Sequence, residues 1–335
     1  MTDHYTTDLE EMTAKGPPED ASENKASIIA YQGPPITQPA SFPSPIFPVA
    51  TYSPILPTPP TLPILPNLTT LTPQTQDDDS AAALDAALPD LQVHAGTIQF
   101  SNVTYTKSPT DPPTLRNLCL RIEAGQSVAI VGLPSSGRTT LLKLLIGLDE
   151  SYGGRITIDG QEVRSVNKGS LMRQVSVAPQ SVVLLEASVH YNVCFGRLAS
   201  RQRVEDACRI VGLHERVSSL PNGYDEVLGP STGCSTAEMQ KLGLARVLVA
   251  DTKVVLIDEA LSELDAKTEC RILRYLQQWG AGRTVITVAH RLGTITHSDR
   301  IYVLYNGMIV EGGTHRQLMS RPGLYRQLWD QKRTV

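Results

Sequence analysis

From Ile98 onward the chain alternates apolar and polar positions, with Ile98 and Phe100, and later Leu118, Leu120 and Ile122, falling on one face of short extended segments. Strands with one apolar and one polar face form antiparallel layers, so a small antiparallel sheet is expected here. Three further runs are apolar throughout or nearly so: Val128–Val131, Val254–Ile257 and Val285–Ala289. Such runs suit strands covered on both faces. Helical stretches lie between them, which predicts a parallel α/β sheet flanked by helices. Asn306-Gly307 separates Ile301–Leu304 from Met308–Val310. Both turn residues tolerate positive φ, so a closing hairpin is predicted, followed by a short C-terminal helix.

The first ninety or so residues follow neither pattern. Thirteen of the 24 prolines fall between Pro34 and Pro73, and no Asp, Glu, Lys or Arg occurs from Ala26 to Gln76. Proline-rich sequence without large apolar clusters cannot offset its ordering entropy, so residues 1–93 are expected to be disordered and residues 94–335 to form one domain. Within the tail, Pro54-Ile55-Leu56-Pro57 has PxxP spacing. Asp77-Asp78-Asp79-Ser80 before an Ala/Leu-rich run to Leu88 can cap a short helix that Pro89 ends.

A net charge of −4 with mixed signs gives no electrostatic reason to expect a nucleic-acid partner. The five cysteines are odd in number, widely spaced and include no CxxC pair, which fits a reduced, cytosolic compartment. No window reaches the roughly 20 uninterrupted apolar residues of a spanning helix. Any membrane-spanning part is therefore expected on a separate chain. The N-terminus, Met-Thr-Asp-His with acidic residues soon after, lacks the features of a secretory signal or mitochondrial presequence.

Chemistry enters where Val128–Val131 runs into Gly132-Leu133-Pro134-Ser135-Ser136-Gly137-Arg138-Thr139-Thr140, followed by Leu141, Leu142, Leu145 and Leu148 at helical spacing. A strand, a Gly-bounded loop and a helix in that order make a phosphate-binding loop. Its backbone N–H groups face a phosphate, and the helix N-terminus adds about half a unit of positive charge. Thr139 is placed to put its hydroxyl on Mg²⁺. Arg138 stands where the pattern has lysine. A planar fork replaces a compact point charge there, and the swap is not conservative in so tight a loop. Val254–Ile257 ends in Asp258-Glu259, two carboxylates at the carboxyl end of a buried strand, where open α/β sheets bind ligands. Asp258 suits Mg²⁺; Glu259 suits orienting or deprotonating an attacking water.

This order of motifs resembles the nucleotide-binding domain of ATP-binding cassette (ABC) transporters, over roughly residues 96–332. The resemblance implies a P-loop NTPase core, an N-terminal antiparallel β layer and a helical subdomain, with ATP and Mg²⁺ as cofactors. Gln180 resembles the glutamine that touches Mg²⁺ and senses the transmembrane partner. Ser262-Glu263-Leu264-Asp265 resembles the D-loop, and His290 the switch histidine at the γ-phosphate. Gly312-Gly313-Thr314-His315, Leu318, Gly323-Leu324-Tyr325 and Leu328-Trp329 are similar to the tail of exporter cassettes of the multidrug and peptide class.

Two places depart from the family pattern. The signature Leu-Ser-Gly-Gly-Gln, which grips ATP held by the opposite subunit, reads Cys234-Ser235-Thr236-Ala237-Glu238. Only Ser235 survives, and Thr236 and Ala237 add β-carbons where a phosphate approaches the backbone. The base-stacking aromatic aligns at Lys107, which leaves Tyr105, two residues earlier, as the ring for adenine if the loop shifts. The resemblance thus implies an ATP-hydrolysing exporter subunit at the cytosolic face of a membrane, with a second nucleotide-binding domain and a transmembrane domain as partners. The alternative is a nucleotide-binding or regulatory module without useful turnover.

Overall fold

The computed structural model describes residues 87–228, 233–289 and 291–333. The proline-rich tail, its PxxP segment, most of the helix expected before Leu88, and His290 lie outside the described residues.

The alternating segments form β1 (Ile98–Tyr105) and β2 (Leu115–Ile122), paired antiparallel with Ile98 opposite Ile122 and Phe100 opposite Leu120. The register shifts between Phe100 and Val103, where Asn102 takes φ +52°. Here the alternation slips and Val103 turns back to the core, a bulge that one extra residue produces. β4 (Tyr152–Ile158) pairs with the other edge of β1, and the short β5 (Gln161–Glu162) completes the layer in the order β2-β1-β4-β5.

The three apolar runs are the centre of a second sheet. β3 (Ser127–Gly132), β9 (Val254–Asp258) and β10 (Thr284–Val288) lie side by side and parallel, in the order β3-β10-β9. β6 (Val175–Ala178) extends this sheet beyond β9. β11 (Arg300–Tyr305) pairs parallel with β3 and forms with β12 (Met308–Gly313) the hairpin that Asn306-Gly307 turns. Helices cover both faces, so every residue of β9 is buried. Fully burying one Val, Leu or Ile contributes ~1.5–3 kcal/mol, which is why an unbroken apolar run selects a central strand.

The helix after the loop, α1, spans Arg138–Leu145. Leu148, expected on its apolar face, lies past the helix end and is exposed, because the chain turns out at Gly147 with φ +69°. α2 (Lys168–Gln174) leads into β6. Beyond β6 a helical region follows: α3 (Val189–Cys194), α4 (Arg201–Val211), α5 (His214–Ser218) and α6 (Thr236–Ala250), with β7 (Ala187–Ser188) and β8 (Val227–Leu228) as a small ladder. Val193, Val204, Val211, Leu242 and Val247 of these helices belong to an apolar cluster that also takes in Val255 and Ile257 of β9. α7 (Ala266–Trp279) joins β9 to β10, and α8 (His315–Met319) and α9 (Leu324–Arg333) close the chain.

Candidate functional site: the phosphate loop and its carboxylates

The loop between β3 and α1 is shaped by backbone that only small residues permit. A β-carbon at Gly132 would lie 2.2 Å from the Leu304 carbonyl oxygen, so no other residue fits against β11 there. Gly137 takes φ +103° and a β-carbon on it would meet Leu115 at 2.8 Å. Ser135 also adopts positive φ, +61°, a conformation that costs a non-glycine residue of order 1–3 kcal/mol. The turn at Gly307 supports the loop from behind, its N–H donating to the Ser136 carbonyl at 3.2 Å. Above the loop is a cavity of about 260 Å³ lined by Thr114 and Ser135–Thr140.

The residues present fit a phosphate group and a hard cation. Ser136 Oγ is buried and has no hydrogen-bond partner among the described residues, and Gly137 caps α1 without a side-chain bond. An orphaned hydroxyl and an uncapped helix N-terminus are what an anion would satisfy. Thr139 Oγ1 donates to Asp258 Oδ1 at 3.2 Å, so a hydroxyl and a carboxylate oxygen stand together at the rim. Mg²⁺ held by one or two protein oxygens plus phosphate oxygens needs no larger cluster of ligands.

Asp258 ends β9 and Glu259 follows at φ +53°, held there by its N–H bond to the Val288 carbonyl at 3.0 Å. Burial pushes the Asp258 carboxyl above its ordinary range, and the neighbouring Glu259 adds to this; the Thr139 hydrogen bond and the Arg138 charge offset part of it. Gln180 Nε2 donates to Glu259 Oε2 at 3.0 Å. The sequence-expected Gln180, Asp258, Glu259 and Thr139 are thus brought to one sheet edge, at the carboxyl ends of β3, β6 and β9.

Arg138 takes an unforeseen direction. Its side chain is 6% exposed and runs beneath the loop. Nη1 donates to the Ala289 carbonyl at 3.1 Å and Nη2 lies 3.5 Å from Glu259 Oε1. Burial lowers the guanidinium pKa, while Glu259 and Asp258 pull it back up.

Tyr105 is not brought to the cavity. Its ring packs against the core and its hydroxyl donates to Asp149 Oδ2 at 2.6 Å, which raises the phenol pKa. Lys107 is exposed. Ser235 also stands apart from the phosphate cavity, at the N-terminus of α6. There Ser235 and Glu238 form a reciprocal capping box, and Glu238 Oε1 accepts from Arg216 Nε at 3.2 Å. The helix start is therefore kept while both signature glycine positions carry side chains.

Sequence reasoning passed over several participants. Thr114 lines the cavity because its N–H bonds the Tyr105 carbonyl at 2.8 Å, closing the loop between β1 and β2. Gln240 on α6, 2% exposed, donates to Ser262 Oγ at 3.0 Å and accepts from the Glu263 N–H at 3.0 Å, tying the signature helix to the D-loop. Arg291 donates to Glu269 Oε2 at 2.6 Å and to the Ser262 carbonyl at 3.1 Å, fixing the segment after β10 to the same loop. In the sequence Gln240 shows only as a polar residue five positions after Ser235; its burial came with the fold.

Comparison with known proteins agrees with this geometry. A family model described as ABC transporter matches residues 115–262. The chain is 39% identical over 234 residues to the mycobactin import ATP-binding/permease protein IrtA of Mycolicibacterium smegmatis, covering 70% of this chain and 27% of that protein. It is 40% identical over 247 residues to the mitochondrial iron-sulfur clusters transporter ATM1 of Yarrowia lipolytica, covering 73% and 35%. A solved structure of a bacterial Atm1-family ABC exporter with ATP bound superposes with TM-score 0.70 at 36% identity, covering 73% of this chain and 43% of that one. The chain thus spans about a third or less of the length of these two curated relatives. Residues 115–262 carry an ABC transporter domain, and what the structure describes has the fold of that family's nucleotide-binding domain.

Proposed function

We propose that residues 94–335 bind ATP with Mg²⁺, hydrolyse it, and couple that cycle to transport through a transmembrane partner of the exporter type. The observation that carries this reading is the meeting of Thr139, Asp258, Glu259 and Gln180 beside the phosphate cavity, with bonds of 3.2 Å between the first two and 3.0 Å between the last two. The loop amides and the α1 N-terminus draw the phosphates in. Thr139 and Asp258 supply oxygens to Mg²⁺, which when bound neutralises charge developing on the phosphates. Glu259 orients the attacking water and takes its proton, and Gln180 sets the direction of that carboxylate. His290 is assigned as the γ-phosphate sensor from its place after β10.

The same reading calls for a second nucleotide-binding domain stacked head to tail, because Ser235 stands apart from the chain's own phosphate loop. It also calls for a transmembrane domain at the cytosolic face of a membrane. Among the described residues no helix is long and apolar enough to cross one. The solved neighbour is named an ABC exporter and the yeast relative a transporter, and both names fit this role. Single-turnover hydrolysis of ATP tests it. Glu259→Gln is expected to lower the rate by roughly 10²–10⁴-fold while ATP is still bound, since general-base assistance contributes that much. Unchanged turnover would refute Glu259 as the base.

A further inference from the structure

Arg138 occupies the position from which a P-loop cation ordinarily reaches a phosphate, yet here it is committed elsewhere. Its guanidinium sits between the ends of β9 and β10, one nitrogen on the Ala289 carbonyl at 3.1 Å and the other 3.5 Å from Glu259 Oε1. The other Glu259 oxygen accepts from Gln180 at 3.0 Å. The carboxylate read as the general base is therefore held from both sides, and one of its holders is the loop's own cation.

We infer that Arg138 is a positioning residue that latches Glu259 in the nucleotide-free chain, and that bound phosphate releases Glu259 by drawing the guanidinium away. This rests on the reading of the cavity as an ATP site.

Three features support the inference. The first is shape. A guanidinium carries donors on separate nitrogens in a fixed fork and can serve Ala289 and Glu259 together, whereas lysine offers one nitrogen on a shorter stem. The second is burial. Arg138 and Glu259 are each 6% exposed at the side chain, so water competes little for either, and another anion is the strongest competitor for Glu259 as the charged partner of Arg138. A triphosphate at the rim, over the open start of α1, is such an anion. The third is connectivity. Arg138 begins α1, directly after the loop, so a phosphate that reorders the loop acts on the root of this side chain.

The consequence is competition: ATP must take Arg138 from Glu259, so the latch weakens nucleotide binding, and Glu259 is freed to turn towards water only when phosphate is present. A cassette with lysine at this position lacks the two-pronged contact.

The test is a double-mutant cycle on the full chain, read in two ways. ATP affinity is measured by equilibrium titration in Mg²⁺-free buffer, so that turnover does not interfere, and thermal unfolding is measured without nucleotide. Glu259→Gln is expected to tighten ATP at least tenfold when residue 138 is arginine, but less than threefold in an Arg138→Met background, where only relief of like charge remains. An Arg138→Lys background gives the same comparison if the methionine variant does not fold. Without nucleotide, the fall in unfolding temperature caused by Arg138→Lys is expected to be larger with Glu259 present than with glutamine there. Equal effects of Glu259→Gln in the arginine and substituted backgrounds overturn the latch, as does a weakening of ATP binding. Coupling in unfolding without ATP binding by any variant leaves the apo contact standing, refutes its release by phosphate, and refutes the proposed ATP function.

Discussion

Lys107→Tyr is the substitution that most directly probes how this site treats the base of a nucleotide. Tyr105, the ring two residues before Lys107, is committed to the core and to Asp149 through a 2.6 Å hydrogen bond, and among the described residues the cavity over the loop is lined by Thr114 and Ser135–Thr140. On the proposed reading the site grips phosphate without a stacking face among the described residues, and Lys107 stands exposed on the loop that Tyr105 and Thr114 close. A base stacked on an aromatic ring gains about 1–3 kcal/mol. At a factor of ten per 1.4 kcal/mol, Lys107→Tyr should tighten ATP binding by roughly 5- to 150-fold. Inorganic tripolyphosphate should gain nothing, and should lose a little with the departing charge. The assay is competitive displacement of a fluorescent nucleotide by ATP, GTP and tripolyphosphate, with both proteins at one ionic strength, because phosphate binding is salt-dependent. The wild type should bind ATP and GTP about equally, since the phosphate cavity offers the base no ring, and the Lys107→Tyr variant should bind the two about equally as well, since stacking is sequence-tolerant. If the wild type already prefers ATP over tripolyphosphate by more than about a hundredfold, the upper reach of one stacked ring, another group recognises adenine and the reasoning fails.

Two further outcomes are expected. Asp159 takes φ +49° in the turn after β4 and accepts N–H bonds from His94, Ala95, Gly96 and Thr97 at 2.8–3.0 Å. Burial alone would raise its pKa, but these donors outweigh it and hold the carboxyl below its ordinary range. Asp159→Ala leaves the part-buried Gly96 and Thr97 amides without an acceptor and should cost about 2–5 kcal/mol. The wild-type stabilisation should be complete above about pH 4, the unfolded value, and be lost as pH falls through the lower folded value; chemical unfolding at pH 7 and pH 3 checks this, and a variant deficit that does not shrink at pH 3 would contradict it. Restoring glycine at Thr236 and Ala237 should leave ATP affinity unchanged in dilute protein while raising turnover more steeply with protein concentration, because on the proposed head-to-tail reading the signature acts across a dimer; a change in dilute-protein affinity would show that α6 acts on its own chain's nucleotide.

Much of the fold could be read directly from local pattern. The apolar runs ending at Val131, Ile257 and Ala289 announced central parallel strands, since only a strand covered on both faces tolerates such a run. Asn306-Gly307 announced its hairpin, and Gly132 to Thr140 announced the phosphate loop, because positive φ and close backbone approach restrict which residues can stand there. Asp258, Glu259 and Thr139 were expected as site residues from the same chain order and Gln180 from the resemblance; the contacts that join them in pairs came only with the fold. Strand order did not follow from local pattern: that β10 lies between β3 and β9, and that β4 pairs with β1, depends on which surfaces meet after collapse. Side-chain direction did not either. Arg138 was visible as a departure from the loop pattern, but its turn towards Glu259 and Ala289 depends on where the ends of β9 and β10 come to lie. Tyr105 was visible as an aromatic near the loop, and only packing committed its hydroxyl to Asp149. Gln240 joins the signature helix to Ser262 for the same reason. The sequence determined what the backbone can do locally, because sterics and apolar periodicity act over a few residues. The tertiary structure decided which charges and donors face one another, because a buried polar group takes its partner from whatever distant segment packing brings within about 3 Å.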